Sequence, residues 1–260
     1  MNIFVYRPGA IGDTVLTLPA LAALRIRFPG CEITYAGNSS MLPLLPVEHA
    51  LSADDPGLLP LFGEPAQPWP EADMHIIFAR QPVGLDGIQR DPLEAVQRGL
   101  HVADWLVEAI QPSFTERMPR LAIRPLTSAS IVMHLGAGSP AKHWPMERFV
   151  ELAAKLDGPL AVVQGPADPE PAIDADYELW RDLPLAGLAR RLAGCRLFVG
   201  NDSGISHLAA AVGAPAVAIY IATDPRIWGI RGAHARQVTG QASAAAVAAV
   251  CEELLESSAP

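Results

Sequence analysis

An apolar strand, a glycine-containing loop and an amphipathic helix follow one another in both halves of this chain. No other feature constrains the fold as much. Residues 2–6 are a β-rich apolar run, followed by Gly9-Ala10-Ile11-Gly12-Asp13 and a helical stretch to residue 28. Residues 130–135 restart the pattern, followed by Gly136-Ala137-Gly138-Ser139-Pro140-Ala141-Lys142 and a helix marked by Met146, Phe149, Val150, Ala153 and Leu156. Continuous apolar strands that feed helices belong in parallel sheets covered on both faces. The two restarts predict two Rossmann-like α/β domains, 1–126 and 127–260, joined by a proline-bearing linker over 117–128. The last helix, marked by Val247, Val250, Cys251 and Leu254, belongs to the second half, with packing back on the first as an option.

Composition narrows the function classes. Half of the 260 residues are hydrophobic, enough for a sizeable core, and the net charge of −9 argues against a nucleic-acid binder. The apolar run over 15–24 is too short to span a bilayer and contains Pro19. No secretory leader pattern is present, so the expected home is the cytoplasm. Arg25, Arg27, Arg117, Arg120 and Arg124 supply the means for weak peripheral contact with the inner face of the membrane. Cys31, Cys195 and Cys251 stand in no metal or redox spacing, and the histidines form no metal set.

The loops carry the chemistry. Residues 199–220 read as a strand end, Asn201-Asp202-Ser203-Gly204, a helix, and a second strand. Asp202 and Ser203 are good N-caps, Gly204 lets backbone approach a ligand, and a helix N-terminus at a strand's carboxyl end receives anions. His207 lies one helical turn on, on the same face as Ser203. Taken alone, this segment favours the plain reading, a capped helix with a surface histidine. Gly136, Gly138 and Ser139 can form a nest for phosphate, with Lys142 as a nearby point charge. Only two of 19 cationic residues are lysine, so a retained lysine is a hint that a compact ammonium matters. The alternative is a flexible loop with a solvated lysine. Asp168 follows another strand and suits ribose hydroxyls, or simply a turn. Gly9 and Gly12 open the first helix, but the third glycine of a dinucleotide fingerprint is missing. Asp13, in the first turn, suits a cap and also a general base. Thr223-Asp224-Pro225-Arg226 reads as a turn.

As an ordered set, residues 7–27 (RPGAIGDTVLTLPALAALRIR), 134–149 (HLGAGSPAKHWPMERF), 200–220 (GNDSGISHLAAAVGAPAVAIY) and 223–228 (TDPRIW) resemble glycosyltransferase family 9, the ADP-heptose:lipopolysaccharide heptosyltransferases. The resemblance implies a GT-B fold, with nucleotide sugar held mainly by the second domain, and inverting transfer without a metal or bound cofactor. It implies Asp13 as catalytic base, Ser139 and Lys142 on the diphosphate, and Asp168 near the ribose. It puts Asp202, Ser203, Gly204 and His207 at the donor-side helix terminus. The implied partners are an ADP-linked sugar and a saccharide or glycolipid acceptor.

The chain departs from the family pattern in two places. Residues 52–93 are short where the family builds its acceptor surface, and Ile221-Ala222 replaces the usual Gly-Pro. The shortening admits a second reading, a nucleotide-sugar-binding module with a degenerate acceptor site. A third is an epimerase or hydrolase on the same scaffold.

Overall fold

The computed structural model describes residues 1–63, 71–80, 86–128 and 130–257. Its residues fall into two units, Met1–Pro119 and Arg120–Pro260.

In the first unit the opening apolar run is strand β1 (Asn2–Arg7) and the glycine loop leads into α1 (Ile11–Arg27). Strands β2 (Glu32–Gly37), β3 (His49–Ser52), β4 (Met74–Ile77) and β5 (Ile88–Gln89) follow, then helices α2 (Glu94–Arg98) and α3 (Val102–Ile110). Among the described residues the sheet order is β3-β2-β1-β4-β5, and every pairing is parallel. Phe4, Tyr6, Ala36, Leu58, Leu61 and Ile77 form a core cluster. The proline-rich composition of residues 42–70 predicts a loop with short elements; it contains β3 and a 3₁₀ stretch, Pro56–Phe62, and residues 64–70 lie outside the described ones.

The apolar spacing from Leu93 to Ile110 predicts one long helix, but the structure has two. Gly99 takes φ +64 and ends α2, and the ring of His101 then caps α3 by accepting from the Ala103 N–H at 3.2 Å. A glycine in the left-handed region stops a helix whatever the periodicity beyond it.

In the second unit β6 (Ile131–His134) leads through the loop to α4 (Met146–Ala153). There follow β7 (Leu160–Gln164), β8 (Tyr177–Arg181), α5 (Leu185–Ala193), β9 (Leu197–Asn201), α6 (Gly204–Ala211), β10 (Ala216–Tyr220), α7 (Pro225–Trp228), β11 (Ala235–Thr239) and α8 (Ala244–Ser257). The described sheet runs β11-β10-β9-β6-β7-β8, again parallel throughout. This is the doubly wound order, reversing between β6 and β9. The final helix buries Val247, Ala248, Cys251 and Leu254 with Phe149 and Leu152 of α4, inside the second unit's own core. It is a core element of that unit.

The boundary falls seven residues earlier than the sequence suggests. The stretch after Pro119 docks onto the second unit: Leu121 N–H donates to Ala211, Leu126 to Arg190 and Ser128 to Gly194. A side chain at Gly194 would lie 2.2 Å from the Leu126 carbonyl, so glycine is needed for this approach. Proline content marked the segment as a linker, but its backbone hydrogen bonds belong to the second unit.

Candidate functional site

In open parallel sheets, ligands bind beyond the carboxyl ends of the strands where the order reverses. In the second sheet that crevice lies between β6, ending at His134, and β9, ending at Asn201. Asn201 is fully buried and straps the intervening loop to the sheet. Its amide donates to the Leu135 carbonyl at 2.7 Å and accepts from the Trp144 N–H at 2.9 Å. Trp144 is buried edge-on against Phe149, and its indole N–H reaches Ala242 at 3.0 Å. The loop bearing Ser139 and Lys142 is thus pinned at its far end.

His134 joins two sequence-predicted residues. Its Nδ1 lies 3.0 Å from Ser203 Oγ, and its Nε2 lies 3.0 Å from Asp168 Oδ2. Asp168 also accepts from the Gly165 N–H at 2.7 Å. Burial works to raise the Asp168 pKa, but the His134 hydrogen bond and charge, the Gly165 N–H and the His143 charge outweigh it and hold the carboxyl below its ordinary value. Ser203 caps α6, its Oγ accepting from the Ser206 N–H at 3.3 Å.

Beside this chain stands an ion pair. Lys142 Nζ is 2.8 Å from Asp202 Oδ2, with the Asp202 side chain 4% exposed and the Lys142 side chain 29% exposed. The Thr223 hydroxyl donates to the same Asp202 oxygen. An ammonium has three donors, so pairing with Asp202 leaves others for an anion.

The loop glycines divide by cause. A Cβ at Gly136 would lie 1.7 Å from Asp168 Oδ1, so this glycine makes room for the carboxylate. At Gly138 a Cβ would meet nothing within 4 Å, and the position is exposed. Gly204 opens α6, and His207 is buried one turn further along, not on the surface. Ser139 makes no capping hydrogen bond and precedes the 3₁₀ turn Pro140–Lys142. The structure thus brings Lys142, Asp168, Asp202 and Ser203 into one linked cluster, with Gly136 beneath it. Asp224 caps α7 by accepting from the Arg226 N–H, the turn read from sequence.

Asp13, Gly9 and Gly12 belong to the first unit. Asp13 Oδ1 pairs with Arg7 Nη2 at 2.5 Å, and Oδ2 accepts from the Ala10 N–H at 2.9 Å, capping α1 where Ala10 has no cap of its own. Gly9 has φ +129, and a Cβ there would lie 2.6 Å from Asp13 Oδ2. Gly12 lies in the first turn of α1. At the same sheet edge Tyr6, Pro8, Phe62, Ala79 and Arg80 line a cavity of ≈ 680 Å³, with the Tyr6 and Phe62 rings edge-on at 5.5 Å.

Residues 101–254 match the model of glycosyltransferase family 9 (heptosyltransferase). The chain belongs to glycosyltransferase family 9. Among curated relatives, lipopolysaccharide heptosyltransferase 1 of Escherichia coli K12 is 36% identical over 97 residues, 34% of this chain and 30% of that protein. The match thus spans under a third of that relative's length. A glycosyl transferase family 9 structure from Veillonella parvula DSM 2008 superposes with a TM-score of 0.81 at 20% identity, covering 99% of this chain and 97% of that one. The E. coli ADP-heptose lps heptosyltransferase II superposes with a TM-score of 0.76 at 18% identity, covering 99% of each chain. The fold class is α/β of GT-B type, built from two Rossmann-like units. Among the described residues no helix is long and apolar enough to cross a membrane. No group of three His, Cys, Asp or Glu among them could hold one metal ion.

Sequence reasoning passed over Arg7, His134, Asn201 and Thr223 as site residues. A usable signal existed for the first three. Each is a polar residue closing an otherwise apolar strand, at a carboxyl end beside a reversal of strand order.

Proposed function

We propose that this chain transfers a sugar, a heptose, from an ADP-linked diphosphate donor to a saccharide or lipopolysaccharide-core acceptor. The reading includes inversion at the anomeric carbon and no metal. One observation carries it: a half-buried lysine (Lys142), a helix N-terminus (Ser203, Gly204) and a glycine loop meet at one strand-order reversal. That set suits a diphosphate. The family relatives named for heptose transfer supply the sugar and the nucleotide.

The acceptor hydroxyl oxygen attacks the anomeric carbon as the carbon–oxygen bond to the diphosphate breaks. The bonding pair leaves with ADP, and the hydroxyl proton passes to Asp13. Arg7 and the Ala10 N–H orient that carboxylate while 29% of it stays exposed to receive the proton. Lys142, Ser139 and the N–H groups of the loop and of α6 take up the charge on the leaving diphosphate. Asp168 offers remaining lone pairs to the ribose, while Asp202 and His207 serve the sugar side. The cavity at Tyr6, Phe62 and Arg80 provides room for an acceptor in the first unit. The reaction belongs in the cytoplasm, with peripheral contact at the inner membrane face where a glycolipid acceptor is presented.

The test is ADP release from ADP-heptose with a lipopolysaccharide-core acceptor. Asp13→Asn should lower kcat by roughly 10²–10⁴-fold, the range of general-base catalysis. Near wild-type turnover in that variant removes Asp13 as base, and failure of wild type to bind ADP-heptose removes the donor reading.

A further inference from the structure

The hydrogen bonds around His134 fix which way each proton points. Ionised Asp168 only accepts, so the proton on the His134 ring sits at Nε2. In the neutral ring Nδ1 is then an acceptor, and at 3.0 Å it takes the Ser203 hydroxyl proton. Ser206 Oγ, its own proton given to the Asn201 carbonyl at 2.5 Å, is a second acceptor for the Ser203 hydroxyl, at the longer distance of 3.2 Å. With His134 neutral, Ser203 has therefore spent its only donor and presents a lone pair toward the N-terminus of α6. That is the wrong polarity for an oxygen of a diphosphate.

We propose that His134 is a positioning residue that couples donor binding to proton uptake. Protonated at both nitrogens, it donates to Asp168 and to Ser203, and the Ser203 hydroxyl is released to donate to a diphosphate oxygen. The proposal rests on the donor-site reading above. The charges facing this unit are Asp168 on the loop after β7, His143 on the loop before α4, and the mutually neutralising Lys142–Asp202 pair. The sheet itself adds the neutral ends Gln164 and Asn201. An arriving diphosphate adds negative charge beside Ser203, which favours the imidazolium, and by linkage protonation favours the diphosphate equally.

The test is calorimetric titration with ADP-ribose, whose doubly substituted diphosphate does not itself titrate near neutral pH. Comparison of two buffers of different ionisation enthalpy gives the protons taken up. Wild type should take up one proton at the alkaline end, with Kd weakening toward tenfold per pH unit. His134→Asn should take up none and show a flat profile, and His143→Gln should keep the wild-type uptake. Binding by wild type without proton uptake, or uptake that survives in His134→Asn, overturns the coupling and leaves the donor site standing. Failure of ADP-ribose to bind at any pH overturns the donor-site reading and the coupling with it.

Discussion

Each sheet ends in an ion pair at a helix start, but the two pairs have opposite polarity. In the first unit the cation is buried and the anion faces out: Arg7 is 8% exposed and Asp13 29%. In the second the anion is buried and the cation faces out: Asp202 is 4% exposed and Lys142 29%. The residue types match the placement. Arg7 also donates to the Phe78 carbonyl at 3.4 Å and the Pro8 carbonyl at 3.2 Å, which a guanidinium's several donors allow. Asp202 accepts from both Lys142 and Thr223, which a carboxylate's lone pairs allow. Under the proposed function, the outward group serves as proton acceptor in one unit and as anion receptor in the other.

The largest expected effect probes what holds the second crevice in shape. Asn201→Ala leaves the Trp144 N–H and the Leu135 carbonyl without their partner, each costing about 1–3 kcal/mol when buried. Urea unfolding should show a loss of about 3 kcal/mol. An unchanged midpoint would mean the loop is not strapped through this residue.

Gly136→Ala comes next. Its methyl displaces the Asp168 carboxylate and should destabilise by about 1–3 kcal/mol, the usual cost of overpacking. Much of that cost should vanish in the Asp168→Gly background, a coupling read from a double-mutant cycle. Gly138→Ala in the same loop should leave stability within about 0.5 kcal/mol, the usual range for surface changes.

A smaller effect concerns pH. Asp168 has a depressed pKa in the folded chain, so it stabilises the fold above the unfolded aspartate value near 3.8, and that stability is lost as pH falls through the depressed value. Asp168→Asn should therefore flatten this part of the acid-unfolding curve.

The sequence carried the architecture well where strands are apolar and long. Strands β1, β6, β9 and β10 all stand near their expected positions. Edge strands were hidden: β8 reads Tyr-Glu-Leu-Trp-Arg and β11 Ala-Arg-Gln-Val-Thr, each half exposed and polar enough to pass for loop. The site was legible in its loops, because Asp168, Asp202 and Ser203 follow strands and open turns or helices. It was not legible in its wiring. Nothing in one dimension says that His134 bridges Ser203 and Asp168 across gaps of 69 and 34 residues. Gly136 was read as a phosphate cradle, yet its contact is a carboxylate brought in by the chain 32 residues later. The surface histidine that α6 offers as the plain alternative is not found, because the helix is buried nearly all round.

The central claim is that the two outward groups do different work, and donor affinity separates them. ADP-heptose affinity should be measured by calorimetry for wild type, Lys142→Ala and Asp13→Asn. Loss of one charge-assisted contact, about 1.5–3 kcal/mol, should weaken binding to Lys142→Ala by roughly 10–100-fold. Asp13→Asn should bind as wild type does. Equal affinity in Lys142→Ala and wild type, or a loss of affinity in Asp13→Asn as large as that in Lys142→Ala, would contradict the assignment.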